Sequence, residues 1–250
     1  MGSLLAGLAT AVGALPILSI GRPTEAQQNL MLGFAAGVML AASFFSLIIP
    51  GIEQAEAQGA TRAVAAGMVV AAIMLGGLVL SQLNAIVPPL DRLGLGPTGI
   101  AEARFRRIWL FVAAITLHNF PEGLAVGVSF GGGDMKAGMT TAMGIGLQNM
   151  PEGLAVAGAL ASLGYSRRTA LLAALASGLV EPVAGTIGAA IVTLSQALLP
   201  WGLGFAAGAM IYVVASEIIP DTHSRLGGSR ASLGLMSGLG LMLILDVTLG

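Results

Sequence analysis

LHNFPEGLAV occupies residues 117–126, inside a long apolar stretch, and LQNMPEGLAV follows at residues 147–156. Each copy places a histidine or glutamine, an asparagine, a proline and a glutamate among residues that otherwise suit lipid. A charged side chain at the centre of a bilayer costs about 3 kcal/mol even on a lenient insertion scale. A sequence that accepts this cost twice, in the same pattern, indicates a functional site inside the membrane.

The composition identifies the environment of these motifs. Of the 250 residues, 56% are hydrophobic and 9% are charged, whereas a soluble domain carries about 25% charged residues. The chain is therefore predicted to be an all-α polytopic membrane protein. Its 37 glycines are typical of closely packed membrane helices. The absence of cysteine excludes disulfides and thiolate metal sites. Separately, we expect neither a nucleic-acid partner nor an organic cofactor.

Eight stretches of the chain are apolar and long enough to cross a bilayer, which requires about 20 mostly apolar residues. They are residues 3–20, 30–50, 62–83, 107–130, 138–163, 169–194, 200–219 and 231–249. No connection is large enough for a soluble domain, so residues 1–250 are predicted to form a single transmembrane domain. The start, MGSLLAGLAT, lacks the basic segment of a signal peptide, and none is expected.

Basic residues predict the direction of the chain. The odd-numbered connections carry most of the arginines: Arg22, Arg92, Arg104, Arg106, Arg107, Arg167, Arg168, Arg225 and Arg230. The even-numbered connections carry only Arg62 and Lys136. Because basic connections remain in the cytoplasm, we expect both termini to lie outside it. We interpret these arginines as interfacial anchors rather than as a binding patch.

Matching segments occur in predicted helices that run in opposite directions. GFAAGVM at 33–39 recurs as GFAAGAM at 204–210, in the second and seventh helices, and the two PEGLAV copies lie in the fourth and fifth. Such matching predicts inverted repeats, helices 1–3 and 6–8 around the helix 4–5 pair, which in transporters meet at a midplane site. The GxxxG pairs within these segments are equally consistent with helix packing alone.

Spacing places the polar residues at one depth. At a rise of about 1.5 Å per residue, His118, Gln148 and Glu181 each lie about 16 to 20 Å from the basic end of their helix. A hydrocarbon core is about 30 Å thick, so all three lie near its middle. Glu181 is followed by proline, as Glu122 and Glu152 are preceded by one, and it adds a third carboxylate to the predicted site.

Angular position groups the donors on one face of each helix. Glu122 lies about 40° from His118 and about 60° from Asn119, between the two. The second copy repeats this arrangement around Glu152. If helices 4 and 5 turn these faces toward each other, the expected product is a binuclear divalent-metal site with bridging Glu122 and Glu152. Two divalent cations would bring +4 against −3 from the glutamates, so charge is compatible with one ion or two.

Other interpretations apply to the donors taken singly. The histidine is also consistent with a hydrogen-bonded packing residue, the asparagines with interhelical contacts, and a lone glutamate with a proton relay. Six donors in matched positions favour a site over a purely structural role. Histidine nitrogen combined with carboxylate and amide oxygen suits Zn²⁺, Fe²⁺, Mn²⁺ or Cd²⁺ better than Mg²⁺ or Ca²⁺.

These motifs resemble those of the ZIP (Zrt/Irt-like) family of divalent-metal transporters. The resemblance rests on HNFPEG (118–123), QNMPEG (148–153), Glu181 with Pro182 and the GFAAG copies, and it covers the whole chain. It implies eight helices with inverted repeats, both termini outside, and a homodimer, as in bacterial members that reside in the inner membrane. It also implies that zinc or a related metal enters the cytoplasm through a binuclear site, by an elevator-type or rocking motion.

The resemblance also assigns roles to individual residues. It assigns the transported ion to His118, Glu122, Gln148 and Glu152, and the second ion to Asn119, Asn149, Glu181 and the two bridging glutamates. Met39 matches a position whose thioether contacts the transported ion, although the sequence alone is typical of core packing there. Acidic residues of the outer mouth match Glu53 and Asp246. At the inner end of helix 7 lie Glu217, Asp221 and His223, where they can receive a departing ion or act as ordinary solvated residues.

Three departures from the family pattern bear on the site. Close bacterial relatives carry aspartate where this chain has Asn149, which removes one charge from the second ion position. Ser216 replaces a histidine of those relatives, so the exit route is expected to differ. Residues 84–106 contain no histidine, which argues against metal sensing by that connection.

Two rival functions require residue patterns or behaviour different from those of metal transport. A zinc protease would use HExxH and a di-iron bundle ExxH, whereas this chain has HNxxE and no second histidine on that helix. A proton- or sodium-coupled carrier of an organic solute is the second rival, and it would keep working in the presence of a chelator. A phosphate-hydrolysing pump is excluded because GxxxxGK[ST] is absent. An enzyme is therefore not expected.

Overall fold

Residues 1–19, 24–86, 102–220 and 228–249 are described by the structure, which is a computed structural model. No strand occurs in these ranges, and the all-α prediction is confirmed. We number the eight helical spans α1 (Gly2–Ala14, extended by a 3₁₀ turn Leu15–Leu18), α2 (Glu25–Ala41, a π segment Ala42–Ile48 and Ile49–Ala57), α3 (Arg62–Ile86), α4 (Glu102–Gly131), α5 (Met135–Ser162), α6 (Arg167–Gly178 and Val180–Leu194), α7 (Leu199–Val213 with a π segment Val214–Ile218) and α8 (Gly228–Leu249).

The helices extend further than the predicted spans at several ends. α2 continues to Ala57, and α4 begins at Glu102. The stretch from Arg104 to Arg107 is therefore helical rather than part of the connection in which the sequence analysis placed it. Glutamate, alanine and arginine are strong helix formers, so the helix continues beyond the apolar stretch that defined the prediction.

Length and composition mark five described segments as able to cross a membrane. They are Asn29–Ala57, Arg62–Gln82, Arg167–Leu194, Gln196–Ser216 and Ser229–Thr248, and Gly2–Leu18 is apolar but shorter. The two helices that carry the repeated motif, α4 and α5, are not among these segments. α5 packs against α1, α2, α4, α6 and α8, so protein surrounds its polar residues.

The helices pack in matched pairs. α2 packs against α8, and its counterpart α7 packs against α3. In the same way, α1 packs against α5, and its counterpart α6 packs against α4. Exchanging helices 1–3 with 6–8, and α4 with α5, turns each pair into its counterpart. The two π segments also occupy equivalent places, shortly after the GFAAG copies of α2 and α7. This pairing is the arrangement that inverted repeats predict.

The GFAAG copies form packing surfaces between paired helices. A Cβ atom added to Gly37 would lie 2.0 Å from the backbone oxygen of Leu235 in α8. A Cβ atom added to Gly208 would lie 2.0 Å from the backbone oxygen of Ile73 in α3. Only glycine permits backbones to approach this closely, so helix packing explains both copies.

Polar contacts separate the connections into two ends. Arg167 donates from Nη1 to the carbonyl of Leu18 at 2.8 Å, which joins the end of α1 to the start of α6. At the opposite end, Gln58 donates to the carbonyl of Gln196 at 2.9 Å, and Gln196 donates to the carbonyl of Gly131 at 3.3 Å. These contacts bring the ends of α2 and α4 to the start of α7. The first and fifth connections thus lie at one end of the bundle, and the second, fourth and sixth lie at the other.

Candidate metal centre

The two copies of the motif meet at Glu122 and Gln148. The Gln148 amide donates a hydrogen bond from Nε2 to Glu122 Oε1, and both side chains are fully buried. α4 and α5 therefore turn these parts of their motif faces toward each other. The hydrogen bond uses the nitrogen of the amide and leaves Gln148 Oε1 buried without a partner.

A second polar pair joins α5 to α6 and α1. Asn149 donates from Nδ2 to Glu181 Oε1 at 2.6 Å and to the backbone carbonyl of Ala6 at 2.8 Å. The two hydrogens of the Asn149 amide are thus donated to residues of two different helices. Its Oδ1 atom remains buried and unpartnered, with the lone pairs that a cation requires.

Three carboxylates share this buried region. Glu122 and Glu181 are 0% exposed and Glu152 is 1% exposed. Their charges lie close enough to repel one another. Among the described residues, several buried oxygens and amide atoms here have no hydrogen-bond partner: Glu122 Oε2, both carboxylate oxygens of Glu152, Glu181 Oε2, Gln148 Oε1, Asn149 Oδ1 and both amide atoms of Asn119.

This set of unpartnered atoms has a direct energetic consequence. A buried polar atom without a partner costs about 1–3 kcal/mol, and more if it is charged. Most of these atoms are hydrogen-bond acceptors, and acceptors cannot form hydrogen bonds with one another. A divalent cation satisfies several acceptors at once and offsets the repulsion among the carboxylates. The donor set is therefore chemically suited to binding a cation.

Only α6 is interrupted at the site. Leu179 separates Arg167–Gly178 from Val180–Leu194, and Glu181 lies in the first turn of the second segment. Pro182 has no amide hydrogen, which is tolerated in a first helical turn. α4 and α5 remain helical through Pro121 and Pro151.

The glycine after each motif glutamate sets how closely the neighbouring helix approaches. A Cβ atom at Gly123 would lie 2.3 Å from the backbone oxygen of Glu181. A Cβ atom at Gly153 would lie 1.9 Å from the backbone oxygen of Thr10. The two PEG segments are thus the places where α6 crosses α4 and α1 crosses α5. At these crossings the polar cluster is buried between helices.

For the remaining predicted ligands, the structure gives the helix and, for two of them, the burial of the side chain. Met39 is 0% exposed on α2, a helix that packs against α5, and its carbonyl accepts a hydrogen bond from Ser43. Asn119 is fully buried on α4. His118 lies in α4, but its side chain is outside the described part of the structure. Within that part, no three His, Asp or Glu side chains are arranged as a ready metal site.

Of the predicted mouth and exit residues, Glu53, Asp246 and Glu217 lie toward the ends of described helices. Asp246 in α8 accepts a hydrogen bond from Ser46 of α2 at 2.8 Å, and Glu53 is exposed seven residues further along α2. Sequence reasoning missed Ser46, although it follows Met39 by seven residues, which is about two turns of a regular α-helix. Glu217 lies in the π segment of α7 with its side chain outside the described residues, and Asp221 and His223 lie wholly outside them.

The chain matches known proteins along its length. The family model described as ZIP Zinc transporter matches residues 98–246. Zinc transporter GufA of Myxococcus xanthus is 45% identical over 250 residues, which cover 100% of this chain and 98% of the relative. Zinc transporter ZIPB of Bordetella bronchiseptica is 44% identical over 250 residues, 100% of this chain and 81% of the relative. Zinc transporter ZIP11 of Homo sapiens is 34% identical over 321 residues, 96% of this chain and 94% of the relative.

These matches agree with the motifs in the sequence. The segment covered by the family model contains both PEG copies and Glu181. The relatives are named as transporters rather than as enzymes. The chain belongs to the ZIP zinc transporter family.

Proposed function

We propose that this protein carries divalent transition-metal ions, Zn²⁺ first among them, across a membrane and into the cytoplasm. The observation that carries the proposal is the buried cluster of three glutamates, four of whose six carboxylate oxygens have no hydrogen-bond partner among the described residues. The relatives named as zinc transporters support zinc as the cargo. The same donors suit Cd²⁺, Fe²⁺ and Mn²⁺, so these ions are proposed as further substrates.

The proposed site holds two ions between α4, α5 and α6, with Glu122 and Glu152 bridging them. The transported ion takes its other ligands from His118, Gln148 and Met39, and the second ion takes them from Asn119, Asn149 and Glu181. The pairing of Glu122 with Gln148 and of Asn149 with Glu181 supports this division. No organic cofactor takes part.

Binding the first ion requires a rearrangement of Gln148. In the structure its nitrogen faces Glu122, and nitrogen carrying two hydrogens cannot bind a cation. Rotation of the amide presents its oxygen to the ion and releases Glu122 Oε1 as a second ligand. One amide rotation therefore supplies two ligand atoms.

We propose a direction and a setting for transport. Ions approach past Glu53 and Asp246 and leave past Glu217, Asp221 and His223, and both termini lie outside the cytoplasm. The arginine-rich connections support this orientation. Residues 1–250 act as a single transmembrane domain in a bacterial inner membrane, assembled as a homodimer, and an elevator-type or rocking motion moves the ion.

Zinc uptake by purified protein tests the function. The protein is reconstituted in liposomes that contain a zinc-sensitive dye, and Glu122→Ala and Glu152→Ala are compared with the wild type. We expect both variants to lose uptake, because each removes a bridging ligand. Glu56→Gln, a change outside the cluster near the end of α2, serves as control and should keep the wild-type maximal rate. Full-rate uptake by Glu122→Ala would overturn the proposal.

A further inference from the structure

Thr10 in α1 carries a buried hydroxyl without the partner that comparable threonines have. In α4 and α6, Thr116 and Thr186 donate to the carbonyl four residues earlier, at 2.8 and 2.7 Å. Thr10 is only 1% exposed, yet its Oγ1 has no hydrogen-bond partner within the described ranges. Its isolation therefore needs a specific explanation.

The explanation lies in Asn149. The carbonyl four residues before Thr10 belongs to Ala6, and it accepts a hydrogen bond from Asn149 Nδ2. In a helix this carbonyl also accepts the amide hydrogen of residue 10, so both of its lone pairs are engaged. The Thr10 hydroxyl is thus displaced from its usual acceptor by a residue of the polar cluster.

A carboxylate oxygen of Glu181 that accepts no hydrogen bond from the described residues lies where α1 crosses α6. A Cβ atom at Gly178 would lie 2.8 Å from Thr10 Oγ1, and a Cβ atom at Gly7 would lie 3.5 Å from Glu181 Cβ. Side chains lean toward the start of their own helix, so the Glu181 carboxylate leans back toward the turn of Gly178. Its Oε2 atom is buried and has no hydrogen-bond partner in the part of the chain that the structure describes. The free hydroxyl and the free carboxylate oxygen therefore share one small region between α1 and α6.

We propose that Thr10 is a positioning residue for the second divalent cation. When the ion is bound, its hydroxyl donates to the Glu181 carboxylate and fixes the orientation in which this carboxylate binds the ion. Carboxylate ligands of metal sites are commonly held by such outer hydrogen bonds, and loss of one weakens metal binding about 10- to 100-fold. The inference rests on the proposed function, and it adds α1 to the helices that shape the site.

Zinc titration of the purified full-length protein tests this role. The step that belongs to the second ion is identified as the one that Glu181→Gln weakens. We expect Thr10→Val, which keeps the side-chain shape, to weaken that step about tenfold and to leave the other step unchanged. Thr10→Ser restores the hydroxyl and should bind as the wild type does. Thr140→Val removes another buried, unpartnered hydroxyl, eight residues before Gln148, and should have no effect.

The outcomes separate the inference from the function on which it rests. Absence of zinc binding by the wild type overturns the proposed function. Normal wild-type binding together with equal affinities of Thr10→Val and wild type overturns the inference alone. Equal weakening by Thr10→Val and Thr10→Ser also overturns it, because packing would then be the cause. If Thr10→Val does not elute as a single folded species, comparison of Thr10→Ala with Thr10→Ser decides by the same criterion.

Discussion

Gln148 donates a hydrogen bond to Glu122, although the two residues belong to different copies of the repeated motif and to different helices. The contact explains how two carboxylate-bearing segments share the interior of a bundle. An amide can offer its nitrogen to a carboxylate and, after rotation, its oxygen to a cation. A glutamate at position 148 has no nitrogen to offer to the Glu122 carboxylate. An apolar residue at this position could bind neither the carboxylate nor a cation.

Asn149 can be tested by Asn149→Asp. We expect the variant to lose the hydrogen bonds to Ala6 and Glu181 and to bury another charge, which destabilises the metal-free protein by about 1–3 kcal/mol. The new carboxylate should bind the second ion more tightly, so zinc should raise the unfolding temperature more than it does in the wild type. Thermal unfolding with chelator and with zinc measures both effects. Equal stability in chelator would show that the contacts to Ala6 and Glu181 contribute little.

Gly153 tests the crossing between α1 and α5. Gly153→Ala places a methyl group against the backbone of Thr10, and such overpacking costs about 1–3 kcal/mol. Gly240→Ala in α8 meets nothing within 4 Å and serves as the matched control. The control should unfold at or slightly above the wild-type temperature, since alanine favours helix. Equal unfolding temperatures for the two variants would contradict the close crossing.

Asp246 tests the outer mouth. Asp246→Asn keeps the shape that accepts the hydrogen bond from Ser46 but removes a charge that concentrates cations. We expect the KM for zinc to rise severalfold at low ionic strength while the maximal rate changes little. Asp134→Asn removes a charge from the exposed cap of α5, at the same end of the bundle, and should have a smaller effect. A fall in maximal rate with unchanged KM would assign Asp246 a different role.

Acidification should slow zinc uptake. Carboxylates and histidine must lose their protons before they bind a metal, so protons compete with zinc for the cluster. Uptake by proteoliposomes, measured with equal pH on both sides to remove any proton gradient, should fall as pH falls. The effect should weaken as zinc concentration rises, as competition requires. A rate that increases on acidification would indicate proton-driven transport instead.

The polar cluster could be predicted from sequence because lipid makes its residues so costly. Glu122, Gln148 and Asn149 stand out in apolar helices, and helical spacing alone places each glutamate between two donors. The start of α4 at Glu102 was missed because the helix continues beyond the apolar stretch that reveals it. The bounds of the other spans followed from apolar length to within a few residues at most ends.

Other features depend on contacts between distant parts of the chain. The interruption of α6 at Leu179, the π segments of α2 and α7, and the isolation of Thr10 leave no periodic signal in the sequence. The hydrogen bond from Asn149 to the Ala6 carbonyl joins residues that are far apart in the chain, and a backbone acceptor has no residue type to recognise. The packing of α1 against α5, which brings Asn149 to the Ala6 carbonyl, accounts for the isolation of Thr10.

Anomalous scattering from crystals soaked in Zn²⁺ or Cd²⁺ tests the central claim, that carboxylates buried in the bundle are held there to bind cations. The account predicts two peaks between α4 and α5, both touched by Glu122 and Glu152, with the second peak also touched by Asn149 and Glu181. Peaks confined to the helix ends, with Gln148 still bonded to Glu122 in saturating metal, would contradict it.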